Sequence, residues 1–345
     1  MTTGITENER NHRQIALWLL ACAALVFAMV VLGGVTRLTR SGLSIVEWDP
    51  IMGAIPPLSE AQWITLFEKY KLTPEYQKVN VGMDLAGFKG IFWLEYLHRL
   101  LGRLIGFVFL VPFVYFLFRG RIERPLVPKL VTMFVLGALQ GLMGWVMVAS
   151  GLVDEPRVSA YRLTAHLLLA TAIYGYMVWI ALDLLAGARR SGAPPGPSGF
   201  AWFLLAAIVT MIASGGFVAG IRAGYAFNTW PLMHGRLIPE ALWALQPLWV
   251  NFFENLQTVQ FLHRWLAMVV LVLAGVLWWR VRSIVARPAG GWIYLLLAAA
   301  IVQVALGIAT LVKVVPVSLA AVHQAGALVL FTVALVIVHR LSRWR

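Results

Sequence analysis

Cysteine is almost missing from this chain. Cys22 is the single one and sits inside an apolar run, so neither an intrachain disulfide nor a cysteine metal site can be built, and a small apolar core residue is its expected role. Charge is scarce as well: 12% of the residues are Asp, Glu, Lys or Arg against 60% hydrophobic, which excludes an ordinary soluble domain of 345 residues. No nucleotide, nuclease or hydrolase motif is present. Gly33 with Gly34, and Gly137, Gly141 and Gly144, suit close helix contacts rather than phosphate loops. The N-terminus, MTTGITENERNHRQ, carries Glu7 and Glu9 and lacks the Arg- and Ser-rich, acid-poor character of a transit peptide, so the first apolar segment is expected to be retained.

What is present is a series of apolar runs, each long enough to cross roughly 30 Å of hydrocarbon as a helix of about 20 residues. They fall near 15–35, 90–118, 129–150, 161–186, 200–221, 257–279, 292–312 and 318–339. The expected fold is an all-α polytopic membrane protein with eight transmembrane helices arranged as two pseudo-symmetric four-helix bundles. Cations collect on one side, among them Arg10, Arg13, Arg121, Arg280, Arg282 and Arg345, with few acids beside them. By the positive-inside rule that side is the cytoplasm and holds both termini. The net charge of +13 is therefore a mark of topology, not of nucleic-acid binding. The tryptophans, including Trp18, Trp48, Trp63, Trp230, Trp243 and Trp249, suit an interfacial aromatic belt better than a binding box.

The chain is an internal duplication. GGVTRLTRSGLSIVEWDPIMGAIPP from Gly33 returns as GGFVAGIRAGYAFNTWPLMHGRLIPE from Gly215, and at one offset Gly34, Arg40, Gly42 and Trp48 match Gly216, Arg222, Gly224 and Trp230. Further on, Leu97-His98-Arg99 matches Leu262-His263-Arg264, Gln140 with Gly144 matches Gln303 with Gly307, and His166 matches His323. This divides the chain into a cytoplasmic tail (1–14), an N-terminal four-helix unit (15–190), a Pro/Gly-rich linker (191–199) and a C-terminal four-helix unit (200–345), a parallel repeat. The first unit has the longer external segment, from about Arg37 to Lys89, in which Ile51, Met52, Trp63, Leu66 and Phe67 suggest short helices lying on the membrane surface.

Each unit carries one histidine pair on its second and fourth helices: His98 with His166, and His263 with His323. All four are expected in the first third of their helices, near the external face. An imidazole inside a bilayer is costly, so a repeated pair points to a bound metal centre. Two neutral nitrogens per unit, without a cysteine or second carboxylate, make a poor closed zinc site and suit a haem held from both faces. His12, His234 and His339 have no repeat partner and are not expected to be ligands. Arg99 and Arg264 follow a ligand histidine directly and could pair with a haem propionate or snorkel to the interface; Arg103 could serve the first site or pair with a neighbouring helix. Gln140 and Gln303 could face the porphyrin or pack between helices.

The repeat breaks at Glu95. It lies one helical turn before His98, whereas the matching residue before His263 is Gln260. A buried carboxylate beside an iron-bound substrate can give or take protons, and a glutamine cannot. The first unit is thus the expected reaction site and the second the seat of a permanent electron-transfer haem. The structural alternative is that Glu95 pairs with Arg99 or Arg103.

Glu95-Tyr96-Leu97-His98-Arg99, the two-unit repeat, His166 with His323, and GGVTRLTRSGLSIVEWDP together resemble the haem A synthase family, in the form shared by alphaproteobacteria and mitochondria, from about Leu25 to Val338. The resemblance implies conversion of haem O to haem A by oxidation of the porphyrin C8 methyl to a formyl group through successive hydroxylations, supplying aa3-type cytochrome oxidases. It implies that His98 and His166 hold the substrate haem O, that Glu95 is the acid or base, and that His263 and His323 hold haem b. It also implies the bacterial inner (plasma) membrane, with the haem sites toward the periplasmic face, and a haem O synthase as partner; a homo-oligomer and the identity of the electron donor or acceptor stay open. Unlike Gram-positive members, this chain has no cysteine pair in the first external loop, so a thiol mechanism is excluded. The residues alone leave a b-type membrane cytochrome and a transporter as alternatives.

Overall fold

The computed structural model describes residues 6–47, 52–152, 156–187, 198–282 and 287–343. Trp48, Ile51, Arg345 and most of the expected linker, 191–197, lie outside the described residues.

Eleven α-helices form among them: α1 (Glu7–Leu38), α2 (Glu60–Lys71), α3 (Pro74–Lys78), α4 (Leu85–Phe118), α5 (Val127–Ala149), α6 (Ala160–Ala186), α7 (Ser198–Gly220), α8 (Asn251–Glu254), α9 (Leu256–Val281), α10 (Arg287–Val312) and α11 (Val317–Ser342). Eight of the described helices are long and apolar enough to span a membrane, and each covers one of the expected runs. The molecule is a multi-pass membrane protein. Caps set the outer ends where hydropathy gives no signal. The Asp84 carboxylate accepts from Gly87 N at 2.8 Å to start α4, and Asn255 Oδ1 accepts from Gln257 N and Thr258 N to start α9. α4 therefore begins ahead of the expected residue 90, and His98 lies beyond the first third of its helix, while His166, His263 and His323 lie within theirs.

The long segment between α1 and α4 does contain helices, and the aromatic face of α2 packs on protein. Trp63, Phe67 and Tyr70 of α2 are buried against Phe88, Phe92 and Tyr96 of the early turns of α4. Trp63 meets Phe92 edge-on at a centroid distance of 4.8 Å, and Tyr70 stacks on Phe88 at 5.2 Å. The early start of α4 supplies the surface that the sequence assigned to the membrane. Burial pushes the Tyr70 phenol up to about 12, opposed by the hydrogen bond that Asn80 Nδ2 donates to its oxygen, so the group is neutral in this cluster. Truncating Trp63 to alanine is expected to remove about 3–5 kcal/mol of local stability. Limited proteolysis should then cut between residues 55 and 82 while the spanning helices stay intact.

By internal contact the described chain forms two compact units, Met1–Ala23 with Leu167–Arg345, and Ala24–His166. In the former, α7 packs on α9 and α11, and α10 packs on α9 and α11, closing a four-helix ring. At its edge α6 meets α11 through the Tyr174–Thr332 hydroxyl pair (2.7 Å) and the Asp183–His339 contact (2.8 Å). In the latter unit α4 packs on α5 and α2. The duplicated segments share an unusual backbone feature: Arg40 after α1 and Arg222 after α7 are both left-handed, at φ 56 and 58. Non-glycine residues rarely adopt this conformation, so its recurrence at matched positions shows that the repeat extends to the helix ends.

Candidate functional site

Within residues 24–166, α4 carries His98 and α6 carries His166. His98 faces α1 at Gly33, where an added Cβ would lie 3.0 Å from its Nε2. His166 faces α5 at Gly144, where a Cβ would lie 3.1 Å from its Cε1. Both histidines lie within the same compact unit. One turn before Gly144, Gln140 Nε2 donates to the His166 carbonyl at 3.1 Å and lies 3.2 Å from His166 Nε2.

The other unit repeats this arrangement. His263 on α9 faces Gly215 of α7 (3.3 Å from a Cβ to Cε1), and His323 on α11 faces Gly307 of α10 (2.9 Å to Cε1). Gln303 Nε2 donates to the His323 carbonyl at 2.8 Å. One contact is new here: His263 Nδ1 lies 3.2 Å from Ser214 Oγ.

Each paired histidine therefore stands against a glycine of a neighbouring helix. Gly33 and Gly144, read as helix contacts in the sequence, and their repeat counterparts Gly215 and Gly307 are what admits the rings. The buried Nδ1 atoms of His166 and His323 have no hydrogen-bond partner. Among the described residues no group of three or more His, Cys, Asp and Glu side chains converges. Two imidazoles per site, supplied by different helices and backed by glycine, fit a haem iron with two axial nitrogens and do not fit a closed zinc or copper site. His339 is taken by Asp183 and His234 lies against the Phe227 ring, so neither joins a pair. Gly307→Ala is expected to push His323 aside at a cost of about 1–3 kcal/mol, checked by thermal unfolding and by loss of a bis-histidine spectrum from that unit alone.

Glu95 is 2% exposed and its carboxylate is fully engaged. Oε2 accepts from Ser44 N (2.7 Å), Ser44 Oγ (2.7 Å) and Ile45 N (2.9 Å). Oε1 accepts from Arg99 Nε (3.1 Å) and Nη2 (2.6 Å). Arg99 in turn donates to the carbonyls of Ile45 (2.9 Å) and Glu47 (3.1 Å). Arg264 repeats that clasp at the matching residues, donating to the carbonyls of Phe227 (2.8 Å) and Thr229 (2.8 Å). Gln260, in the place of Glu95, accepts from Arg264 at 3.2 Å and donates to the carbonyls of Ala223 (3.0 Å) and Phe227 (3.1 Å). Both arginines thus bind the chain segment that follows a first helix. The first clasp is an ion pair, the second a lone cation whose Nε is buried without a partner. Arg103 lies one turn beyond Arg99 on α4. Ser44 and Ser214 were not singled out from the sequence, because a serine in an apolar chain carries no spacing signal.

The family model described as cytochrome oxidase assembly protein (COX15-CtaA) matches residues 16–335. Among curated relatives, the protein named "Heme A synthase" from Nitrosospira multiformis is 57% identical over 339 residues, covering 96% of this chain and 94% of the relative. Those of the same name from Parvibaculum lavamentivorans and Nitrosomonas eutropha are 52% and 53% identical; the first alignment covers 98% of this chain and 97% of the relative, the second 96% and 95%.

Proposed function

Because the chain belongs to the family of cytochrome oxidase assembly proteins, we propose that it is a haem A synthase, oxidising the C8 methyl of haem O to a formyl group by successive hydroxylations. The observation that carries this reading is the duplicated set of imidazoles, two in each unit and each standing against a glycine of another helix, in a chain whose relatives bear that name. His98 and His166 hold haem O as substrate, and His263 and His323 hold haem b as the resident cofactor. The haem b iron, when bound, supplies one-electron transfer. The repeat units 15–190 and 200–345 each provide one such site, in the inner (plasma) membrane, with both termini cytoplasmic and the sites toward the external face.

The surroundings of Glu95 refine its role. Five donors converge on its carboxylate, which thereby fixes Arg99 and the Ser44–Ile45 segment beside His98. To give or take a proton it must first release one of those donors. Arg99 is committed to carbonyls and to Glu95, which favours the packing role over a propionate contact, whereas Arg264 keeps its buried Nε as a donor for one. With no thiol pair in the external loop, electrons pass to or from a separate redox partner, and a haem O synthase supplies the substrate.

The test is conversion. The chain is expressed in a membrane that contains haem O but no haem A, and the extracted haems are separated by chromatography. Appearance of haem A is the expected result, and its absence with the protein present overturns the proposal. Glu95→Gln is expected to keep haem b and lose haem A output; undiminished output would exclude a proton-transfer role.

A further inference from the structure

If both sites hold haem through paired histidines, they face opposite demands. The substrate must enter and leave at every turnover, whereas the cofactor must stay. The structure shows a chemical difference between the pairs that matches these demands. A metal-ligating histidine is oriented, and made more basic, when its second ring nitrogen donates to a fixed acceptor. His263 Nδ1 has such a partner in Ser214 Oγ at 3.2 Å. At the offset that matches Gly33 with Gly215, the residue in place of Ser214 is Leu32, which has no polar side-chain atom. The rings also sit differently: a Cβ on Gly33 would meet Nε2, Cδ2 and, at 4.0 Å, Cε1 of His98, while a Cβ on Gly215 would meet only Cε1 of His263.

The partner histidines differ in the opposite sense. In the first site Gln140 Nε2 lies 3.2 Å from His166 Nε2, so an iron held through that nitrogen would compete with a hydrogen bond. Gln303, the counterpart, is bonded to the His323 carbonyl and leaves that ring nitrogen alone.

On the bis-histidine reading above, we propose that Ser214 is a positioning residue that makes the His263 site retentive, and that Leu32 and Gln140 make the His98–His166 site exchangeable. The same fold thereby yields one fixed haem and one transient haem, by changes at residues that touch no iron.

The experiment measures haem release from the purified full-length protein to excess apomyoglobin, followed by the Soret band, together with the midpoint potential of haem b. Ser214→Ala is expected to speed haem b release about 10- to 100-fold and to raise the potential, since the ligand becomes less basic. Ser214→Thr, which keeps the hydroxyl, should restore both. The converse variant, Leu32→Ser, should slow release of haem O from the first site. Release and potential unchanged in Ser214→Ala, or altered equally in Ser214→Thr, overturns the proposal. Should Ser214→Ala fail to fold, unchanged haem O release in Leu32→Ser overturns it. A wild-type protein that binds no haem b would instead refute the functional reading beneath it, so the two failures are distinguishable.

Discussion

Replacing Arg99 by methionine is expected to destabilise the protein by about 3–5 kcal/mol, because it strands the Glu95 carboxylate in a site where that side chain is 3% exposed. The Arg99 side chain is only 14% exposed, so solvent does little to screen the pair. It also holds the carbonyls of Ile45 and Glu47, and its loss should free the segment that covers the early turns of α4. Arg264→Met removes the equivalent clasp beside the neutral Gln260 and strands no carboxylate. Its expected cost is smaller, about 1–3 kcal/mol for carbonyls left unpaired. Thermal unfolding of both variants in one detergent checks the order. Equal losses would mean that the Glu95–Arg99 pair carries no special weight.

Removing an axial imidazole should be as selective as the repeat is chemical. His263→Ala is expected to abolish the low-spin haem b spectrum and the extractable haem B, leaving any haem O or haem A in the protein. His98→Ala should do the reverse, abolishing haem O binding and haem A formation while the haem b spectrum persists. On the proposed ligation each iron would depend on two nitrogens from different helices, so losing one would leave a single ligand and a much weaker site. A His263→Ala protein with an undisturbed bis-histidine haem b spectrum would refute the assignment of that pair.

The spanning helices were legible because hydropathy reports where lipid lies. It does not report where a helix starts. α1 begins at Glu7 within a polar stretch, and α4 begins at Leu85 because Asp84 caps it and α2 lays Trp63, Phe67 and Tyr70 along it. For the same reason hydropathy could not show that Trp63 and Phe67 pack on α4. The duplication was legible residue by residue, and its local detail reaches further than sequence could say: matched left-handed arginines, matched clasps and matched glycines behind histidines. The Glu95–Arg99 spacing marked an ion pair as one of two readings, since side chains four apart meet on a helix. The amides of Ser44 and Ile45 that complete the cluster, and the Ser214 hydroxyl at His263, come from distant segments and leave no periodic trace.

The most direct measurement is chromatographic identification of the haems extracted from the purified, unmodified protein. One site for a resident haem b and one for a substrate in transit require haem B together with haem O or haem A. Haem B alone, at two per chain, would contradict the account and identify an electron-carrying b-type cytochrome instead.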